Sequence, residues 1–225
     1  MDYTQIKTEK RGNILILTMN RPDRLNAIAS GMPREIAAAV ERANEDDGVH
    51  VIVLTGAGRA FCAGYDLKDF AETPAGNRGT GVAAGDVRPW DPMVDFNMMF
   101  ANTRDFMSLW RSHKPTIAKV RGFAVAGGSD IALCCDMVVM AEDAKIGYPP
   151  ARVWGCPTTA MWVYRLGPER AKRMLFTGDL VSGTEAAEMG LVLEAVPDDE
   201  LDARVYALAA RMAGVPRNQL MMQKL

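Results

Sequence analysis

A layered α/β fold is predicted by three features of this 225-residue chain. Short apolar runs of strand length alternate with stretches of helical periodicity. The run Val51-Ile52-Val53-Leu54 is apolar on both faces, as a strand covered on both sides must be. The theme strand, helix, strand occurs at 14–55 and again at 117–141. With 48% hydrophobic and 24% charged residues, the chain can bury a sizeable core, which excludes fibrous and disordered classes.

The elements follow in order. Residues 14–19 read as a strand, stopped by Asn20-Arg21-Pro22-Asp23. Pro33 suits a first helical turn, and Ile36, Val40 and Ala43 recur at helical spacing until Asp46-Asp47-Gly48 ends the helix. A strand is expected over 49–55. The breaker-rich stretch 73–92 reads as a lid or loop. Phe96, Met99, Phe100, Thr103, Phe106, Met107 and Trp110 then form a helical stripe expected to pack on the body. A strand at 117–120, a helix at 127–135 and a strand at 137–141 follow. Thr158 or Thr159 can cap a helix that ends at Gly167, and Ser182 with Glu185 makes a capping box for a helix closed at Gly190. Residues 192–196 read as an edge strand, 201–212 as an amphipathic helix, and 218–225 as the start of a further helical element.

Composition narrows function. Lys+Arg 26 against Asp+Glu 28 leaves a net charge of -2, so nothing broad favours nucleic acid or an anionic membrane. No run approaches a membrane helix and the N-terminus lacks the apolar core of a signal peptide, so a cytoplasmic protein is expected. The four cysteines form no C-x-x-C pair and read as reduced thiols, mostly buried. With His50 and His113 as the two histidines, a zinc site or a Ser-His-Asp triad has few candidate residues, and no metal is expected.

Two strands run into glycine turns, at 56–67 and at 121–130. The second leads into a helix whose free N–H groups favour negative charge, and two amides converging from two such turns would make an oxyanion hole. Taken alone, Gly127-Gly128 at a strand–helix junction is more often plain packing than chemistry. Neither turn matches a P-loop or a dinucleotide fingerprint.

Asn20-Arg21-Pro22 with Leu25-Asn26-Ala27, then 60–67 (AFCAGYDL), then 122–128 (GFAVAGG) and Cys135-Asp136 resemble the crotonase family, the enoyl-CoA hydratase/isomerase superfamily. The similarity runs in order along nearly the whole chain. The resemblance implies an α/β fold with a ββα spiral core over residues 1–200 and C-terminal helices beginning at 201–225. Because related chains continue further, this sequence is expected to be a fragment or an ordered portion. The resemblance also implies an acyl-CoA substrate, no separate cofactor beyond the coenzyme A of the thioester, and a homotrimer or dimer of trimers.

Carried over by position, the resemblance makes the N–H groups of Tyr65 and Gly127 the pair that holds the thioester oxygen. Arg24, Ala27, Ala63, Tyr65, Asp66, Leu67 and Lys68 match the CoA-contacting segments. Lys68 meets a phosphate or faces solvent, and Asp66 reads mainly as the residue that fixes the loop. Asp130 falls where the family's hydratases carry their first catalytic glutamate. In a first helical turn it is expected to be ionised and to serve as a base, although a capping acid would sit there too.

At the place of the family's second glutamate this chain has Pro150, which has no proton to exchange. Tyr148 or Arg152 is the candidate substitute. With Thr158 near the place of the dehalogenase nucleophile, dehalogenation is disfavoured. The expected function is an enzyme of the enoyl-CoA hydratase/isomerase type with Asp130 as its single general acid/base. Double-bond isomerisation, decarboxylation, thioester hydrolysis and a non-catalytic acyl-CoA binder are the alternatives.

Overall fold

A computed structural model describes residues 3–70, 92–152 and 155–224. The main sheet has six strands in the order β1-β2-β3-β4-β6-β9: β1 (Ile6–Arg11), β2 (Ile14–Met19), β3 (Val51–Gly56), β4 (Thr116–Val120), β6 (Met137–Ala141) and β9 (Glu194–Val196). Pairing is parallel throughout except for the β1–β2 hairpin. A second sheet joins β5 (Phe123–Val125), β7 (Lys145–Gly147) and β8 (Leu180–Ser182). Twice the chain lays one strand in each sheet and then turns into a helix: β4, β5 and α4 (Gly127–Leu133) form one unit of a ββα spiral, and β6, β7 and the helix that starts at Met161 form the next. This is the α/β spiral that the sequence predicts.

The core follows from the apolar strands. All five residues of β4 and the first five of β3 are buried, so both faces of the sheet are covered there. Helix α1 (Met32–Glu45) buries Met32, Ile36, Ala39, Val40 and Ala43 against the β1–β2 end and α3 (Pro92–Arg111), with the one-turn helix α2 (Leu67–Phe70) between α1 and α3 in the chain. Helix α7 (Leu201–Ala213) lays Leu201, Val205 and Ala209 on β2, β3, β4 and β6. The last helix, α8 (Arg217–Lys224), is fastened by Lys224, whose Nζ donates to Leu109 O, Lys114 O and Asp136 Oδ2.

Several expectations need correction. Strand β1 has no apolar pattern, since only Ile6 is buried, and charged side chains cover this sheet edge instead. Neither Thr158 nor Thr159 caps the next helix: α5 (Met161–Thr177) starts after Ala160 without a side-chain cap. Gly167 does break it, at φ 72° and ψ 169°, but Pro168 restarts the helix at once. The stripe on α3 packs only in its second half, where Phe106 and Leu109 are buried. Phe96 and Phe100 are 58% and 62% exposed and stack on each other with ring centroids 6.0 Å apart. The predicted capping box is present, with Ser182 Oγ accepting from Glu185 N–H and Glu185 Oε2 accepting from Ser182 N–H, at the start of α6 (Gly183–Glu188). Cys62, Cys134 and Cys135 are buried free thiols, and Cys156 is a free thiol at the surface. The loop expected over 73–92 lies almost wholly outside the described residues. Among the described residues, no helix is long and apolar enough to cross a membrane.

Candidate active site

The two glycine turns are built against each other. Residues 61–62 run beside β5: Phe61 N–H donates to Arg121 O, Cys62 N–H to Phe123 O, and Val125 N–H to Cys62 O. This pairing carries the chain from Cys62 to Tyr65 across the turn at Ala126-Gly127-Gly128. Contact is tight enough to exclude side chains. A Cβ at Gly128 would stand 2.3 Å from Cys62 O, and one at Gly64, whose φ is +91°, would stand 2.8 Å from Ala126 Cβ. A Cβ at Gly127 would meet the Tyr65 ring at 3.0 Å, so that ring lies directly over the glycine.

Between the two turns the backbone is strained. Ala126 has φ 52° and ψ -128°, a conformation that costs a residue with a Cβ about 1–3 kcal/mol. It is over-determined by its neighbours: Ala126 N–H donates to Gly147 O, extending the β5–β7 ladder, while Ala126 O accepts from Ser129 and Asp130. Strain of this kind held in place by surrounding bonds is common at functional sites. As the first residue of α4, Gly127 has an N–H outside the helical ladder.

A third loop, residues 20–29, clamps the Tyr65 segment. Ala63 N–H donates to Leu25 O, Ile28 N–H to Gly64 O, and Asp66 N–H to Ile28 O. Asn26, fully buried, donates from Nδ2 to Ala57 O and Ala60 O and accepts from Arg21 N–H. Arg21 Nη2 pairs with Asp66 Oδ2 at 2.9 Å, and Asp66 Oδ1 accepts from Lys68 N–H at 3.2 Å. Although burial opposes it, the bond from Arg21, the Lys68 N–H and the nearby Arg24 charge hold the Asp66 carboxyl below the usual range. Asp66 therefore spends its charge inside the protein, which is a loop-fixing role. Of the residues matched to CoA contacts, Arg24, Leu67 and Lys68 are exposed on this rim, while Ala27 and Ala63 lie in the clamped backbone.

Asp130 is 1% exposed. Burial pushes its carboxyl up to about 8, opposed only by the Thr158 N–H and the Thr159 hydroxyl, whose Oγ1 lies 3.4 Å from Oδ1. This overturns the expectation of an ionised acid. A helix N-terminus contributes about 0.3–1 kcal/mol, whereas full burial can shift a carboxyl by about 3–5 units, so desolvation wins. Two phenols lie within electrostatic reach of the same carboxyl. The hydroxyls of both Tyr65 and Tyr148 are pushed above their ordinary range, first by burial and then by Asp130 (with Asn102 opposing at Tyr65), so both remain proton-bearing.

Of the two candidates for the missing second acid, Tyr148 feels the charge of Asp130 but donates its proton to Cys156 O at 2.8 Å. Arg152 does not belong to the site. Its Nε donates to Thr177 O and its Nη2 to Asp179 Oδ1, both at 2.7 Å, on an exposed face.

The sequence alone assigns no role in the site to Asn102, Asn26 or Thr158. Asn102 Nδ2 donates to Tyr65 Oη at 3.3 Å from the buried side of α3. Its signal was a polar residue one helical turn before Phe106, on the face that the apolar stripe marks as core. Asn26 stood inside a quoted motif, and its bonding to residues 57 and 60 was invisible until the loops met.

The enoyl-CoA hydratase/isomerase family profile matches residues 9–225. A probable mitochondrial enoyl-CoA hydratase of Dictyostelium discoideum is 31% identical over 96% of this chain and 73% of its own length. A crotonyl-CoA hydratase of Syntrophomonas wolfei is 32% identical over 94% and 76%. The crystal structure of an enoyl-CoA hydratase from Mycobacterium smegmatis superposes with a TM-score of 0.89 at 47% identity, covering 99% of this chain and 76% of that one. The chain belongs to the enoyl-CoA hydratase/isomerase family and is an enzyme of that family.

Proposed function

We propose that the protein adds water across the double bond of an enoyl-CoA, holding the thioester oxygen on the N–H groups of Tyr65 and Gly127 and using Asp130 as its single acid/base. The observation that carries this reading is the contact between the Tyr65 loop and the Gly127 turn, with the buried, proton-bearing Asp130 carboxyl three residues further along the same helix. Charge that develops on a thioester oxygen during the reaction is what two preorganised amides stabilise best.

The chemistry balances with one carboxyl. As water oxygen bonds to Cβ, the π pair moves toward the thioester carbonyl. Asp130 gives its proton to Cα, and its other oxygen takes a proton from the adding water, so the acid ends as it began. The exposed rim of Arg24, Leu67 and Lys68 is the proposed face for the CoA moiety, where two of the three side chains carry the charge that a phosphate attracts.

One acid also suits double-bond isomerisation, since a single carboxyl can move a proton between two carbons. Following the enoyl-thioester absorbance of crotonyl-CoA with wild type and Asp130→Asn tests the hydratase reading. Loss of the absorbance with wild type and not with the variant supports it; turnover of a β,γ-enoyl-CoA without hydration favours the isomerase. The assembly is proposed to be a homotrimer or dimer of trimers, which light scattering measures directly.

A further inference from the structure

Thr158 lies between the turn at Pro149–Arg152 and α5, and its backbone N–H donates to Asp130. Its side-chain Oγ1 is sealed from solvent, and among the described residues it has no hydrogen-bond partner. The neighbouring hydroxyls beside Asp130 are engaged. Thr159 Oγ1 faces Asp130 Oδ1, Tyr148 Oη donates to Cys156 O, and Tyr65 Oη accepts from Asn102. Pro150, on the adjacent turn, carries no side-chain donor or acceptor.

A buried hydroxyl without a partner is costly, and native proteins leave few such groups unexplained. Valine has the same shape and no polar atom, so folding alone would favour it at this position. A hydroxyl held beside the reactive carboxyl has a natural partner in a small polar molecule that arrives with the reaction.

Resting on the hydration reading above, we propose that the Thr158 hydroxyl holds the water that adds to the enoyl thioester. Thr158 Oγ1 accepts the hydrogen that stays on the water oxygen, while Asp130 takes the hydrogen that leaves. The oxygen lone pair is thereby aimed at Cβ. No bond to Thr158 forms or breaks, and the atoms balance as in the one-carboxyl scheme. In the reverse direction the same hydroxyl would orient the departing hydroxyl group.

The test compares wild type, Thr158→Val and Thr158→Ser with crotonyl-CoA. Expected is a fall in kcat of about tenfold or more for Thr158→Val, the size of one lost hydrogen bond, with KM unchanged. The melting temperature of that variant should be equal to or above wild type, because an unpartnered hydroxyl has been removed. Thr158→Ser should restore most of kcat. A Thr158→Val enzyme with wild-type kcat overturns the proposal. So does a loss of kcat accompanied by an equal loss of thermal stability and no rescue by serine, which is the pattern of a structural residue.

Exchange of the α-protons of butyryl-CoA in heavy water separates this proposal from the reading beneath it. Run above pH 8, where Asp130 is ionised, exchange needs the two amides and Asp130 as the base but no adding water. Wild-type exchange without any hydration would overturn the role of Thr158 and leave the oxyanion site standing; absence of both would overturn both.

Discussion

A Cβ on Gly128 would stand 2.3 Å from the carbonyl oxygen of Cys62, so the turn carrying Gly127 and the loop carrying Tyr65 are in direct backbone contact. That contact sets the separation of the two amides proposed to hold the thioester oxygen. Gly128→Ala is therefore expected to cost about 1–3 kcal/mol of stability as an overpacked site. It should also lower kcat by a larger factor than a stability control. Gly12→Ala supplies that control: its φ of +58° strains alanine, nothing lies within 4 Å, and it sits in the β1–β2 hairpin. Equal kcat in the two variants would remove the link between this contact and catalysis.

Replacing the Tyr65 backbone amide by an ester removes one hydrogen-bond donor and keeps the phenol. A fall of about 10²–10³ in kcat is expected if this N–H faces the developing oxyanion. Tyr65→Phe, which keeps the amide and the ring over Gly127, should instead cost about 1 kcal/mol of stability through the lost Asn102 bond. Enzyme kinetics and thermal melts on the two variants tell the amide from the phenol.

The raised carboxyl of Asp130 makes stability depend on pH in a defined window. Between the ordinary value of 3.8 and the folded value of about 8, the native state holds a proton that the unfolded chain has released. Raising pH through that window therefore favours unfolding. Relative to Asp130→Asn, wild type should lose melting temperature steadily from pH 4 to pH 8 and then hold a constant difference. In the proposed mechanism Asp130 donates from its protonated form, so kcat/KM for hydration should fall as pH rises through about 8. A flat difference in melting temperature would contradict the burial of this acid.

Asn26→Ala removes three hydrogen bonds and leaves the carbonyls of Ala57 and Ala60 without their side-chain donor. A loss of about 2–4 kcal/mol is expected, since each buried unsatisfied group costs about 1–3 kcal/mol. The Tyr65 loop is clamped by the same segment, so KM for the acyl-CoA should rise as well. Urea unfolding and steady-state kinetics on the same preparation measure both effects.

Much of the fold was legible from local pattern. The strands β2, β3, β4 and β6 are apolar runs bounded by turn residues, and α1 and α7 show one buried stripe at helical spacing. The Ser182–Glu185 box could be read because its chemistry spans three residues. Strands β5, β7 and β8 have three residues each, too few for a period to register, and β1 is an edge strand whose charges hide it. The candidate site was legible as residue types in order. Resemblance pointed to Tyr65, Gly127 and Asp130, and the structure brings all three into one corner.

The state and the partners of those residues were decided elsewhere. Sequence places Asp130 in the first turn of a helix, where a charge is welcome, and that alone predicted an anion. Tertiary packing buries it against Thr158 and Thr159, and desolvation outweighs the helix terminus. Arg152, close to Pro150 in the chain, is turned away to Asp179, while Asn102, far off in sequence, reaches the Tyr65 hydroxyl. By itself the sequence determined which backbone could turn and which segments could be buried, because glycine freedom and hydrophobic period are local properties. Which charges survive burial and which hydroxyls meet depends on distances between remote segments, and only the packed chain sets those.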